Sequence, residues 1–527
     1  MVVVEFAYEE MKRLIDLPRE KMVASLNELG APAEYEPEVG RIIAELTPNR
    51  PDWYSMEGLA RALKTYHGKE SPEYQVKRSE YTVIVNPSVA KVRPYTACAV
   101  VKGLRLDDQR IKDMVLLQEK LLATLGRRVK KFGLGLYPLN AIRFPVHYTT
   151  MKPGDIRYVP LGHEEEMGAG EILEKHKKGQ QYGHILQGHE RYPVFTDGDG
   201  KIMALIPIVN SAETGKIDLD TKDLFIEVSG TDIHACKAAL NILVCTFADM
   251  GGTIYGVTMD YSGRKSVSPE LEPRHIALDL KAVNRTLGVE LKEKEAAGYL
   301  ARMGYGYEKG KVLVPPYRAD VMGLVDIIED IAIAYGYNNF KPTLPDFFHA
   351  GEAVRTHDEL DRIMRGMGFM ETKTFILTNK ERLGLVGSAD GVVEVENPGT
   401  VDYTVVRPNL LADMLDTFRI NKMKGLPQRF YEIGIVHEGK ACSKRLVFGV
   451  MDKNLDFSAV RGFLQTLAFE KGFDFTLSKE KMKAFDANLS CTVVSKGRKI
   501  GVFGKADKAV LEKLGLPFDV YLCELTV

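Results

Sequence analysis

The chain is short of the features that would assign it to several broad classes. Its six cysteines, Cys98, Cys236, Cys245, Cys442, Cys491 and Cys523, include no pair at C-x-x-C spacing. That spacing argues against a zinc ribbon or a redox dithiol and fits reduced thiols in a cytoplasmic protein. Lys and Arg number 71 against 72 Asp and Glu, a net charge of -1, so no overall basic field holds nucleic acid by attraction alone. No apolar run approaches the ~18 residues of a membrane span. The start, MVVVEFAYEEMKRL, has neither the basic region nor the apolar stretch of a signal peptide. A soluble protein away from membranes is expected.

What is present is an ordinary globular composition, 45% hydrophobic and 27% charged, in 527 residues. That is enough for three or four domains of ~150 residues. Shifts of pattern divide the chain into blocks at 1–85, 86–270, 271–345 and 346–527. The first opens on an alternating strand, VVVEF. It continues through a helix, YEEMKRLIDL, to ELTPNRPDWYSMEGLARALKTYHG, where Pro48 and Pro51 force an extended turn and Asp52 or Ser55 can cap the next helix. In the second, YPVFTDGDGKIMALIPIVN reads as two strands around an Asp-Gly turn, and DIHACKAALNILVCTFADMGG as a buried helix ending at Gly251. The third gives strand, helix, the strand KVLVPPY and an acidic helix. The fourth alternates helix and strand. The basic runs GRRVKK and EKHKKG read as solvated surface.

The acidic helix lies in VPPYRADVMGLVDIIEDIAIAYGYNN, from Val314 to Asn339. At about 100° per residue, Ile327, Ile328, Ile331 and Tyr335 share one face, and Asp326, Glu329 and Asp330 fall opposite, with Asp320 just before the helix. Two readings fit. One is an acidic side in water, favoured by the helix dipole near its start. The other is a hard-cation site shared with another subunit, since magnesium keeps several waters and needs only one or two carboxylates from a given chain.

This stretch resembles the central domain of the beta subunit of phenylalanyl-tRNA synthetase. ELTPNRPDWYSMEGLARAL, ALIPIVNSAETGKIDLDTKDLFIEVSGTD, and VENPGTVDYTVVRPNLLADMLDTFRINK followed by RFYEIGIVHEG resemble the same family in the same order, and the second block is similar to its archaeal and eukaryotic branch. The resemblance implies an α+β multidomain fold: a mixed α/β editing domain at 86–270, a small DNA-binding-type α/β domain at 271–345, and a class II synthetase catalytic-like antiparallel-sheet domain at 346–527. It implies an alpha subunit as partner in an (αβ)2 heterotetramer, tRNA(Phe) as substrate, ATP as substrate of the complex, and magnesium shared with the alpha subunit through Asp320, Asp326, Glu329 and Asp330.

A class II synthetase binds phosphates with two arginines, because the planar guanidinium engages them bidentately. QRFYEIG, with Arg429 and Glu432, is faintly like the first motif. At the second, Gly501 and Gly504 are followed by Lys505 in place of the expected Arg, and the glycines read as turn formers. The fourth block is therefore expected to be inactive, with synthesis on the alpha subunit and with Arg407 and Asn421 structural. In the second block the resemblance points to hydrolysis of mischarged Tyr-tRNA(Phe), because a hydrophobic pocket rejects one extra hydroxyl only weakly. Glu227 is expected to accept the tyrosine hydroxyl, with Asn210, Ser211, Ser229 and Asp232 positioning the ester and a water. Ser229 stands where the archaeal pattern has Thr. The plainer alternative is that Glu227 faces solvent and Ser211 caps a turn. His184 and His189 are possible bases. The competing functions are a free-standing hydrolase of mischarged tRNA and a non-catalytic nucleic-acid-binding scaffold.

Overall fold

The computed structural model describes residues 2–344, 351 and 358–527. It falls into two compact units, Met1–Leu344 and Pro345–Val527.

In the first unit, three of the sequence blocks share one apolar core. Val4, Trp53 and Leu63 come from the first block, Val101 and Leu243 from the second, and Ile327 and Ile331 from the acidic helix. Strand Val2–Ala7 pairs with Arg41–Leu46. Ser55, one of the two expected caps, accepts from the Gly58 N–H at 3.1 Å and starts helix Met56–Tyr66. The centre is a mixed sheet. Strands Val209–Asn210, Ile202–Leu205, Tyr192–Thr196, Val146–Met151 and Thr82–Val85 lead to Thr253–Tyr261, and then to Tyr95–Lys102, Leu224–Gly230 and Phe132–Pro138. The expected Asp-Gly hairpin is there: the Asp197 carboxylate accepts from the Asp199 and Lys201 N–H groups at 3.0 and 2.9 Å. Helix Ile233–Asp249 is apolar nearly all round and lies in the shared core, as such a helix must. The sheet's other face meets a second core, with Cys98, Tyr137, Tyr148 and Phe225.

The second unit is a seven-stranded sheet in the order Met370–Glu371, Gln428–Glu438, Ala441–Asp452, Asp519–Thr526, Arg498–Ala506, Phe485–Ser495, Thr476–Lys479. All pairs are antiparallel except the first. Helix Leu411–Asn421 covers one face and Phe457–Lys471 the other. One expectation fails here. Gly501 and Gly504 form no turn; both lie inside strand Arg498–Ala506. A Cβ on Gly501 would run into the Glu524 carbonyl, and one on Gly504 into the Leu489 carbonyl. They are glycine because the neighbouring backbone comes close.

Gly501→Ala should therefore cost roughly 1–3 kcal/mol of overpacking, read as a lowered thermal midpoint of the second unit. An unchanged midpoint would mean the strands separate at little cost.

Candidate functional site

Strand Leu224–Gly230 is buried along its whole length between Tyr95–Lys102 and Phe132–Pro138. Strand alternation sends Phe225, Glu227 and Ser229 to one face. In register, Glu227 lies between Cys98 and Gly135, and Ser229 between Thr96 and Gly133. Glu227 is 0% exposed, which overturns the solvent-facing alternative. A buried carboxylate must find donors or stay protonated. The Ser229 hydroxyl donates to Glu227 Oε2 at 2.6 Å, so Thr96, 2.9 Å from Ser229 Oγ, donates in turn. Burial pushes the Glu227 pKa up to about 7, against the Ser229 hydrogen bond, the nearby Arg93 charge and the Tyr137 phenol. Glu227 thus exchanges its proton near neutrality.

Asn210 reaches this cluster through a residue that the sequence reading missed. The buried Tyr137 hydroxyl donates to Asn210 Oδ1 at 3.2 Å. A Cβ on Gly135 would stand 2.5 Å from that hydroxyl and 2.8 Å from Glu227 Oε1, so glycine leaves the room the two groups use. Among the described residues Glu227 Oε1 makes no hydrogen bond of good geometry, although the Tyr137 phenol lies close enough to lower the carboxyl's pKa. A phenol of the chain's own therefore stands beside the orphaned acceptor. The alternate glycines in FGLGLYP were the available sign that space is kept on this strand face. Thr96 and Arg93 carried no such sign. Arg93 is buried and donates to the Val129 and Ser229 carbonyls at 3.0 and 3.3 Å.

Ser211 and Asp232 are occupied elsewhere. Ser211 caps the short helix Ala212–Gly215, accepting from the Glu213 N–H at 3.2 Å. Asp232 caps Ile233–Asp249 through the His234 and Ala235 N–H groups, both at 3.1 Å, and binds Lys131 at 2.8 Å. Lys131 first, then the backbone donors, hold its pKa below the usual range. Among the described residues no hydrogen bond joins His184 or His189 to Glu227 or Ser229.

The acidic segment is split in two. Arg318, its side chain 2% exposed, holds Asp320 bidentately at 2.9 and 2.7 Å and Asp330 at 2.6 Å, and the Tyr305 hydroxyl also donates to Asp330. Asp330 is thus buried beside Ile327 and Ile331 and does not share a solvent face with Glu329. Arg318, two residues before Asp320, is the cation for Asp320 and Asp330. Burial alone would push Asp320 up, but Arg318 holds it below the ordinary carboxylate range. Asp326 Oδ2 caps the helix, accepting from the Met322 and Gly323 N–H groups at 2.7 and 2.8 Å. Glu329 is exposed. Among the described residues no three His, Cys, Asp or Glu side chains converge as a metal cage.

In the second unit, Arg407 is 1% exposed. It donates to Glu432 Oε1 at 2.8 Å, Asp413 Oδ2 at 3.3 Å, Thr374 Oγ1 at 2.6 Å and the Ile435 carbonyl at 3.0 Å. Burial raises Asp413 to about 6, partly offset by Arg407. Arg429 points elsewhere, donating to the Met367 carbonyl at 3.2 Å and lying 5.1 Å over the Phe463 ring. Lys505 pairs with Asp519 at 2.8 Å. Asn421 donates to the Thr417 carbonyl at 2.9 Å. None of these side chains is arranged with another as a phosphate clamp.

Comparison with known proteins bears on the whole chain. A family model described as the phenylalanyl tRNA synthetase beta chain CLM domain matches residues 341–527, and one described as the tRNA synthetase B5 domain matches 276–337. The phenylalanine–tRNA ligase beta subunit of Archaeoglobus fulgidus is 34% identical over 542 residues, covering 100% of this chain and 98% of the relative. That of Methanothrix thermoacetophila is 35% identical over 539 residues, covering 100% and 99%. The crystal structure of an N-terminal fragment of the phenylalanyl-tRNA synthetase beta subunit from Pyrococcus horikoshii superposes with a TM-score of 0.60 at 33% identity, covering 63% of this chain and 99% of that one. With relatives at 34% and 35% identity over the full length of the chain, the chain belongs to the phenylalanine–tRNA ligase beta subunit family.

Proposed function

We propose that this chain supports ATP-dependent charging of tRNA(Phe) by an alpha subunit, within an (αβ)2 assembly in the cytoplasm, and that its own chemistry is hydrolysis of mischarged Tyr-tRNA(Phe). The observation that carries the second part is Glu227 Oε1, a buried acceptor without a hydrogen bond next to a phenol. A tyrosine side chain entering here supplies the missing donor, whereas phenylalanine leaves the acceptor unpaired, and such a difference discriminates strongly. Tyr137 stands in that place in this structure, so admission of substrate requires its ring to turn aside. Ser229 and Thr96 hold the Glu227 carboxylate in orientation. Asn210, whose amide nitrogen donates to the Leu136 carbonyl at 3.4 Å, keeps its Oδ1 for the ester when the ring leaves. Among the described residues no hydrogen bond joins a histidine to Glu227, Ser229 or Asn210, so positioning of a water carries the hydrolysis.

The separation of roles between subunits rests on the second unit. Arg407 is enclosed by Glu432, Asp413 and Thr374, so its guanidinium is not open to ATP. An apolar cavity of 670 Å³ lies beside them, with Phe375 72% exposed at its edge, and a surface of that kind suits a protein partner. For magnesium, four carboxylates do not fit one ion, because Arg318 already occupies the place between Asp320 and Asp330. Asp326 and Glu329, one turn apart, do fit an ion completed by a partner and water. Met322 and Val325, 86% and 78% exposed, flank them and match a face that becomes covered.

In the assembled complex, Glu227→Ala should lower deacylation of Tyr-tRNA(Phe) about 100-fold and leave Phe-tRNA(Phe) synthesis intact; deacylation at the wild-type rate would sink the pocket. The native state binds Glu227's proton more tightly than the unfolded chain does, so this group's contribution to stability falls as pH rises from about 4.5 to about 7. Glu227→Gln should therefore gain stability relative to wild type between pH 5 and pH 8, by on the order of 3 kcal/mol; a difference independent of pH in chemical denaturation would contradict the buried carboxyl. Glu329→Ala should weaken magnesium-dependent association with the alpha subunit about tenfold without moving the chain's own thermal midpoint, and equal association with and without chelator would remove the ion.

A further inference from the structure

Helix Ile233–Asp249 packs on the sheet face opposite to Glu227. Its first turns form one wall of a cleft of 1360 Å³, closed by residues 74–79, 269–272 and 316–322. The walls carry Lys77, Arg78, His234, Lys237 and Arg274 against two carboxylates, Glu270 and Glu272. Lys237 binds Glu270 at 2.6 Å, and Lys77, Arg78 and Arg274 outnumber the remaining carboxylate, Glu272.

The floor is desolvated and incomplete. The Asn241 amide nitrogen donates to the Glu270 and Pro316 carbonyls at 3.0 and 3.3 Å. Two carbonyl partners fix the amide's orientation, which turns Oδ1 away from them. That oxygen has no partner, and the residue is 9% exposed. Arg318, its side chain 2% exposed, gives Nε and Nη2 to Asp320 and Asp330, and its Nη1 has no partner either. Asn241 and Arg318 thus line a cleft with cationic walls, and each keeps one buried polar atom without a partner among the described residues. Buried polar groups of this kind are normally satisfied, so each calls for a partner.

The cleft exceeds the 300–1,000 Å³ usual for a small molecule, so an extended ligand fits it better. A nucleobase edge presents a donor and an acceptor side by side, and a phosphodiester strand distributes negative charge along a groove. We propose that this cleft binds a single-stranded ribonucleotide segment, with one base seated toward Asn241 and Arg318 and the phosphates along Lys77, Arg78 and Arg274. The inference rests on the reading of the chain as a subunit that handles tRNA, but it concerns a surface on the far side of the sheet from Glu227.

The test is fluorescence anisotropy with a labelled unstructured RNA hexamer and the full chain assembled with its alpha subunit, over a range of salt. Lys77 and Arg78 are exposed, so reversing them leaves the core untouched. Lys77→Glu with Arg78→Glu should weaken hexamer binding at least about tenfold and make the salt slope shallower by about 0.7 for each phosphate that is no longer neutralised. A hexamer with abasic positions should bind more weakly than the intact one. Hexamer affinity and slope unchanged by the double reversal would overturn the site, and equal binding of the abasic hexamer would overturn the seated base. Failure here with Tyr-tRNA(Phe) deacylation still dependent on Glu227 leaves the editing reading standing; hexamer binding that responds as expected while deacylation is absent removes the editing reading alone.

Discussion

Buried charge has to be neutralised, and that constraint organises both units of this chain. An arginine taken out of water is tolerated only with carboxylates and carbonyls placed around its fork. Arg318 meets the condition with Asp320 and Asp330, and Arg407 with Glu432 and Asp413. Further clasps of this kind tie the first block of sequence to the others. Arg61 binds Asp249 and lies 3.9 Å over the Tyr317 ring, while Arg50 binds Asp52 and comes within 4.0 Å of Asp320. In each case side chains distant in sequence are held in one place by charge as well as by the shared apolar core. Removing one partner from such a pair is expensive, because the charge left behind stays buried.

Glu227 departs from this pattern. No arginine forms a salt bridge with it; two hydroxyls in series hold one oxygen and the other is unpaired. The cost is carried as a raised pKa. Groups perturbed by burial in this way are over-represented at working sites. An acceptor that is desolvated, oriented and incomplete is what a site needs to tell a phenol from a benzene ring. The chain's own Tyr137 phenol stands alongside it.

Much of the fold was legible because local signals were strong. The apolar helix ending at Gly251, the Asp-Gly hairpin and the Ser55 cap each follow from a short run of residues. What was not legible depended on long-range register. Helical periodicity placed Asp330 on the wet side of the acidic helix, because a count of 100° per residue cannot see Arg318 and Tyr305 arriving from outside the helix to bury it. Gly501 and Gly504 looked like turns because the sequence does not show that a neighbouring strand's backbone passes close by. At the site, Glu227 and Ser229 sit two apart on one strand and could be paired from spacing alone, whereas Thr96, 133 residues from Ser229, could not. Ser211 and Asp232 have the side chains of positioning residues, but helix caps use the same chemistry.

Where the arginines point decides how the work of a synthetase is divided between chains. In this chain the second unit is a seven-stranded sheet, antiparallel except for its first pair, and the buried Arg407 is turned inward to Glu432 and Asp413. The most direct measurement is phenylalanine-dependent ATP–pyrophosphate exchange by the purified chain alone and again after an alpha subunit is added. No exchange by the chain alone and full exchange on mixing is the predicted result. Exchange by this chain without a partner would show that an ATP site survives in the second unit and would contradict that division.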